Sequence, residues 1–282
     1  MLKTYLFVMI FKNPKHHYRG MVNGQRIRGI IDTHAHLSRF DVYGRVDELI
    51  NEALGGGLLG IINVTMRIDE VSRAFDLVNR YRGFVFTALG YNYGGFDIRE
   101  AGEIMKIAGE RADLIVGIGE VGLDYVKVKD KVLREISKHI FIKWVTLAKE
   151  LDLPLIIHSR DSENDVINIL SRYGPVRCVV HAFSGNRSQA MRLLELGCYF
   201  SIPPTIARSQ QKRDLARLLP LDRLLLESDT PELGPSVNEP SRPIHVKLVL
   251  NELSRLLNVD IYELSNVILE NTVRAFPKIS RR

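Results

Sequence analysis

The stretch Ile30-Ile31-Asp32-Thr33-His34-Ala35-His36 decides how the chain is read. Two β-branched residues leading into a D-x-H-x-H pattern predict the end of a buried strand. Side chains alternate along a strand, so His34 and His36 point the same way, with Asp32 on that face one step earlier. Two imidazoles at this spacing can reach one divalent ion together. A lone H-x-H is better explained by two hydrogen-bonded strand histidines. The weight comes from segments further along that are built alike.

Working outward, short apolar runs recur at 29–32, 58–64, 84–89, 114–119, 153–158, 176–181, 197–202 and 223–227. They are continuous rather than alternating, as strands buried on both faces of a parallel sheet should be. Amphipathic stretches separate them. The clearest spans 131–151, where Val132, Ile136, Ile140, Trp144, Leu147 and Leu151 recur at helical spacing; Trp144 is read as core. Two more helices are expected at 243–257 and 261–276. Eight strand–helix units in about 250 residues predict a (β/α)8 TIM barrel. A doubly wound open sheet is the competing topology, but no Gly-rich dinucleotide fingerprint follows the first strand.

In such a barrel the active site lies at the C-terminal ends of the strands. The first run ends in Asp32, His34 and His36. The fourth ends in Gly119-Glu120-Val121-Gly122-Leu123-Asp124-Tyr125, the fifth in His158-Ser159-Arg160-Asp161, the sixth in His181-Ala182-Phe183-Ser184-Gly185, and the eighth in Glu227-Ser228-Asp229-Thr230-Pro231. Four of the chain's eight histidines therefore fall at strand ends beside carboxylates. Together with Glu120 and Asp229 they point to a metal site. Four imidazoles and two carboxylates exceed what one ion needs and suit two divalent ions with a bridging carboxylate. Magnesium, manganese and zinc are the candidates; the nitrogen-rich set favours manganese or zinc, since magnesium prefers more oxygen.

The motifs D-T-H-A-H, G-E-V-G-L-D-Y, L-P-L-I-I-H-S-R-D, H-A-F-S-G and L-L-L-E-S-D-T-P-x-L, the last followed by Asn238-Glu239-Pro240, together resemble TatD-family metal-dependent deoxyribonucleases. Order and spacing match over residues 30 to about 276, and the late Glu270-Asn271-Thr272-Val273-Arg274-Ala275-Phe276 resembles the family's last helix. The resemblance implies a barrel of the metallo-dependent hydrolase type, hydrolysis of DNA phosphodiesters and a two-metal centre. It implies His34, His36 and Asp229 on one ion, His158 and His181 on the other, and Glu120 between them. Two stretches depart from the family pattern. Leu89-Gly90-Tyr91-Asn92-Tyr93-Gly94-Gly95 lacks the usual Gly-x-His-Pro-like turn, and Pro203-Pro204 replaces a Gly-rich turn.

Basic residues near the predicted mouth are candidates for phosphate contacts: Arg160, Arg208, and Lys127, Lys129 and Lys131 after the fourth strand. Tyr125, Tyr91 and Tyr93 are candidates for stacking on bases. The expected chemistry is attack of metal-bound hydroxide on phosphorus, with Glu120 and Asp229 as the catalytic carboxylates and Asp229 as a proton acceptor. A binuclear barrel hydrolase acting on a small ester, lactone, amide or phosphoester is the alternative. Its common carbamylated-lysine bridge has no counterpart here, because no lysine precedes Lys127 in the fourth strand region. A nucleic-acid-binding protein without chemistry is a third reading, which an intact ligand set argues against.

Composition sets the outer limits. The 282 residues are 45% hydrophobic and 26% charged, ordinary for a chain with a sizeable core. The net charge of +6 weakly favours a polyanionic partner such as DNA. No obligate protein partner and no membrane association are evident. Residues 5–11 are apolar but too short to span a bilayer, and 12–17 do not resemble a cleavage site. Residues 1–27 are read as an extension outside a barrel domain at 28–279, with Met21 as an alternative start. His16 and His17 in that extension are read as solvated. Cys178 and Cys198 form no C-x-x-C pair and sit in apolar surroundings, so two buried thiols in a reducing, cytoplasmic compartment are expected.

Overall fold

The computed structural model describes residues 21–22, 25–26, 29–91, 94, 96–174 and 176–281. Eight strands run parallel, each hydrogen-bonded to the next: β1 (Ile31–Ala35), β2 (Gly60–Val64), β3 (Val85–Leu89), β4 (Gly117–Asp124), β5 (Leu155–Arg160), β6 (Cys178–His181), β7 (Tyr199–Ile202) and β8 (Leu224–Leu226). The ring is drawn together between β8 and β1 by two bonds from the segment just past β8. The Asp229 N–H donates to the His34 carbonyl at 2.8 Å, and the His36 N–H to the Thr230 carbonyl at 2.9 Å. The expected TIM barrel is therefore present.

Helices follow the strands: α1 (Phe40–Tyr43), α2 (Val46–Gly55), α3 (Ile68–Arg80), α4 (Ile98–Glu110), α5 (Lys131–Glu150), α6 (Glu163–Tyr173), α7 (Arg187–Glu195), α8 (Gln210–Leu218), α9 (Val246–Leu257) and α10 (Ile261–Ala275). The strand runs are continuously apolar because both faces are buried. Ile61, Ile118, Ile157 and Val180 pack outward against the helices. Ile62, Phe86, Ile156, Val179 and Leu225 fill the barrel, where Phe276 and Ile279 join them. A Cβ built on Gly117, the first residue of β4, would lie 3.6 Å from the Phe276 ring. The residues after α10 thus close the N-terminal end of the barrel and leave the C-terminal end as its mouth.

α5 begins where Asp130 caps it, accepting from the Val132 and Leu133 N–H groups at 2.8 and 2.9 Å. Trp144 on its inner stripe is core, as expected, whereas Val132 in the first turn is exposed. β4 runs well past the expected end at 119, because its second half pairs with β5 from Val121↔Ile157 to Asp124↔Arg160. A register irregularity between Ile118 and Val121 spans Gly119 and Glu120, and such a kink re-aims a side chain.

The expected pair of free thiols is overturned. Cys178 and Cys198 form a disulfide with Cα atoms 4.8 Å apart. The pairing Val179↔Tyr199 sets the preceding residues opposite each other on neighbouring strands, a proximity that a spacing of twenty residues does not reveal. The argument for a reducing compartment falls with it. Residues 1–20, including His16 and His17, lie outside the described residues. Met21–Val22 pairs antiparallel with Gln25–Arg26 ahead of the barrel. No described helix is long and apolar enough to cross a membrane.

A candidate metal centre at the barrel mouth

Each proposed ligand stands on a strand or one step past its end, except Asp229, which lies three residues past β8. β1 carries His34, and His36 follows it. Asp32 does not join them at the mouth. Its Oδ1 accepts from the His34 and Ser228 N–H groups at 3.2 and 2.9 Å, bracing β1 against the loop after β8. Burial pushes its carboxyl up to about 8. In that same loop Asp229 has φ +52°, a left-handed conformation in which Asp is several-fold enriched among non-glycine residues.

The donor atoms converge in two groups that share Glu120. Its Oε1 is 3.0 Å from His158 Nδ1 and 3.1 Å from His181 Nε2. Its Oε2 is 3.3 Å from His34 Nε2 and 3.2 Å from His36 Nε2. Asp229 Oδ1 joins the second group, 3.5 Å from His34 Nε2 and 3.3 Å from His36 Nε2. Neighbouring donors in a tetrahedral shell with ligand bonds of about 2.0–2.1 Å lie roughly 3.3 Å apart. The buried Glu120 Oε2 has no hydrogen-bond partner among the described residues, an orphaned anionic oxygen that a cation would satisfy. The histidine and carboxylate set therefore fits metal binding.

Other carboxylates hold the rings from behind. His181 turns Nδ1 to Glu227 Oε1 at 3.7 Å, and Glu227 accepts the Ser201 hydroxyl. His158 places Nε2 3.2 Å from Asp124 Oδ2. Asp124 Oδ1 accepts the Val126 and Lys127 N–H groups at 2.8 and 2.9 Å. Carboxylates in such positions set imidazole orientation and raise ligand basicity. The His34 ring stacks on that of His181, centroids 4.1 Å apart.

The electrostatics are those of a site built for cations. Burial pushes the Glu120 carboxyl up, but His181, His158 and His34 outweigh it and hold the group well below the carboxylate range. Burial likewise opposes protonation of His36, yet Asp229 and Glu120 push its imidazole up to about 10. Glu120 and Glu227 similarly outweigh burial at His181 and push it well above its ordinary value. Burial, with His181 facing it, holds His34 below its ordinary value.

A family model described as TatD related DNase matches residues 31–277. The chain belongs to the TatD family. It is 30% identical over 262 residues to human deoxyribonuclease TATDN3, covering 89% of this chain and 96% of that one. It is 31% identical over 257 residues to the metal-dependent hydrolase YabD of Bacillus subtilis, covering 88% and 98%. The crystal structure of YJJV, a TatD homolog from Escherichia coli K12, superposes with a TM-score of 0.80 at 29% identity, covering 88% and 98%. An organophosphorus hydrolase from Deinococcus radiodurans, at 18% identity and a TM-score of 0.61, shares the fold. This TatD-family chain is thus a metal-dependent hydrolase.

Around the donor atoms opens a cleft of about 440 Å3. Arg160 and Lys127 line it beside Glu120, His158 and His181. Arg208 does not; it is exposed and donates Nε to the Gly234 carbonyl at 3.4 Å. Lys129 and Lys131 are exposed and also outside its lining. The expected stacking tyrosines are committed elsewhere. Tyr125 is buried, with its hydroxyl on Asp165 and the Arg134 guanidinium 4.1 Å from its ring centroid. Tyr91 is buried and accepts the Asp97 N–H at 2.9 Å; Tyr93 lies outside the described residues. Sequence reasoning missed Lys212, Arg39 and Ser184 in the lining. It also gave no role to Asp124 and Glu227, although a carboxylate closing the run Leu224-Leu225-Leu226 was a usable signal.

Two glycines let the backbone carry this arrangement. A Cβ at Gly90 would lie 2.3 Å from the Glu120 carbonyl oxygen. At Gly122, φ is +147° and a Cβ would lie 2.0 Å from the His158 carbonyl oxygen. Both positions are closed to any other residue without moving a strand that carries a donor.

Proposed function

We propose that the chain is a deoxyribonuclease working with two divalent ions. His34, His36 and Asp229 would hold one, His158 and His181 the other, with Glu120 offering an oxygen to each. The observation that carries this reading is the division of Glu120: one carboxylate oxygen faces each histidine pair. A carboxylate can offer an oxygen to each of two cations, whereas a neutral imidazole offers one lone pair. Four nitrogens among six ligands favour zinc or manganese over magnesium.

Such ions would supply a water of lowered pKa and stabilise charge on the phosphoryl oxygens. The chain's own groups do the rest. Glu120 joins the two donor sets, and Glu120 and Asp229 balance their charge. Burial raises the Asp229 carboxyl, but His36, His181 and His34 hold it below its ordinary value; ionised, it is the carboxylate that would take a proton from water during hydrolysis. Asp124 fixes the ring of His158, and Glu227 faces Nδ1 of His181. Arg160 and Lys127 stand in the cleft where a phosphodiester backbone would lie. The carbamylated-lysine variant of the alternative reading lacks its residue, since β4 presents Glu120 to the mouth.

The test is metal analysis of the purified chain, followed by cleavage of single-stranded and duplex DNA with and without added zinc, manganese or magnesium. Divalent-dependent cleavage that chelation abolishes is expected. Metal-loaded protein that hydrolyses a lactone or small ester and leaves DNA intact would reverse the assignment of substrate.

A further inference from the structure

Lys212 is 7% exposed, yet it lines the cleft together with Glu120, His181 and Asp229. It reaches there from α8, whose exposed face is otherwise polar. Its Nζ donates to the Ala182 carbonyl at 2.7 Å and to the Phe183 carbonyl at 2.5 Å. Those residues directly follow His181 at the end of β6. An ammonium has three donors, and two consecutive carbonyls take two of them. No ion pair among the described residues includes Lys212. Glu227, Asp229 and Glu163 act on its charge from further away, and burial pushes the ammonium down to about 8.

That is an expensive way to pin a loop. Two carbonyls can also be satisfied by a neutral donor, which carries no such desolvation cost. What a neutral side chain cannot supply is positive charge beside the candidate ligands. The cleft is the open side of the group, and an anion there would complete both its hydrogen bonding and its charge. We infer that Lys212 is a substrate-binding residue whose third N–H donates to a non-bridging oxygen of a phosphate seated in the cleft that Lys212 lines with Glu120 and His181. Its two carbonyl bonds hold the ammonium at one fixed point, so the phosphate meets a preorganised donor rather than a flexible surface lysine. This inference rests on the nuclease reading for its substrate, although the contact itself asks only for a phosphate.

Inorganic phosphate is the probe, titrated calorimetrically into the metal-loaded full chain. Lys212→Met keeps the apolar stem and removes charge and donors; Lys212→Gln keeps a neutral donor for the carbonyls. Both variants are expected to bind phosphate about tenfold more weakly with unchanged metal stoichiometry, as loss of one charge-assisted bond requires. In DNA binding the log–log salt slope should shrink by about one phosphate contact, roughly 0.7–0.9. Wild-type affinity in either variant, rescue by Lys212→Gln alone, or loss of metal in both would make Lys212 a loop peg and overturn the inference, as would a wild-type chain that binds no phosphate. A wild-type chain that binds phosphate through Lys212 but cleaves no DNA would sink the nuclease reading and leave the contact standing.

Discussion

Glu120 is the residue on which the proposed two-ion centre turns. Glu120→Gln keeps the shape of the side chain and removes its charge, leaving a poor bridge between two cations. The variant is expected to lose at least one ion per chain and roughly 100-fold or more in cleavage. Circular dichroism should stay unchanged, because the apolar core is untouched. Full metal content with undiminished cleavage would show that Glu120 bridges nothing. One shell further out, Glu227→Gln and Asp124→Asn should each weaken metal binding by about 10- to 100-fold, since they only orient His181 and His158. Lys212 also makes a pH-dependent contribution. Its ordinary value of 10.5 falls to about 8 on burial. Between those values the unfolded chain holds a proton that the folded chain has released, so folding stability rises with pH there. Melting curves of Lys212→Met across that window should show a smaller rise than wild type; an identical rise would place the titration elsewhere.

At the scale of elements, the strand ends were legible because buried parallel strands are continuously apolar and the polar residues closing them are the exception. All six candidate ligands were proposed on that ground. What was not legible depends on neighbours in space. β4 continues through Glu120 to Asp124 because β5 offers it a partner, and nothing within residues 117–124 marks that. Arg208 follows β7 in sequence, but its guanidinium turns to Gly234. Tyr125 and Tyr91 look free in the sequence and are buried in the fold. Lys212 lies inside a polar helix with no local cue at all. The glycines beside Glu120 and His158 give a direct test of the strand packing. Gly122→Ala is expected to cost about 3 kcal/mol, since it combines a disfavoured φ with a backbone clash at His158. A thermal melt matching that of wild type would mean that β4 and β5 do not approach this closely.

For the whole molecule, the barrel closes at its lower end on Phe276 and leaves a mouth where charge accumulates, on a chain that is net positive by six. The disulfide ties β6, the strand that ends in His181, to β7. Closing a loop of this length is worth on the order of 3 kcal/mol. Reduction, or Cys178→Ser, should therefore lower Tm by several degrees while leaving metal content intact. An unchanged Tm under reductant would mean that the two sulfurs are free thiols in solution. The direct test of the central claim is anomalous diffraction from crystals of the chain loaded with zinc or manganese. Two peaks are expected on opposite sides of the Glu120 carboxylate, one beside His158 and His181 and the other beside His34, His36 and Asp229. A single peak, or a second ion away from Glu120, would contradict the two-metal centre.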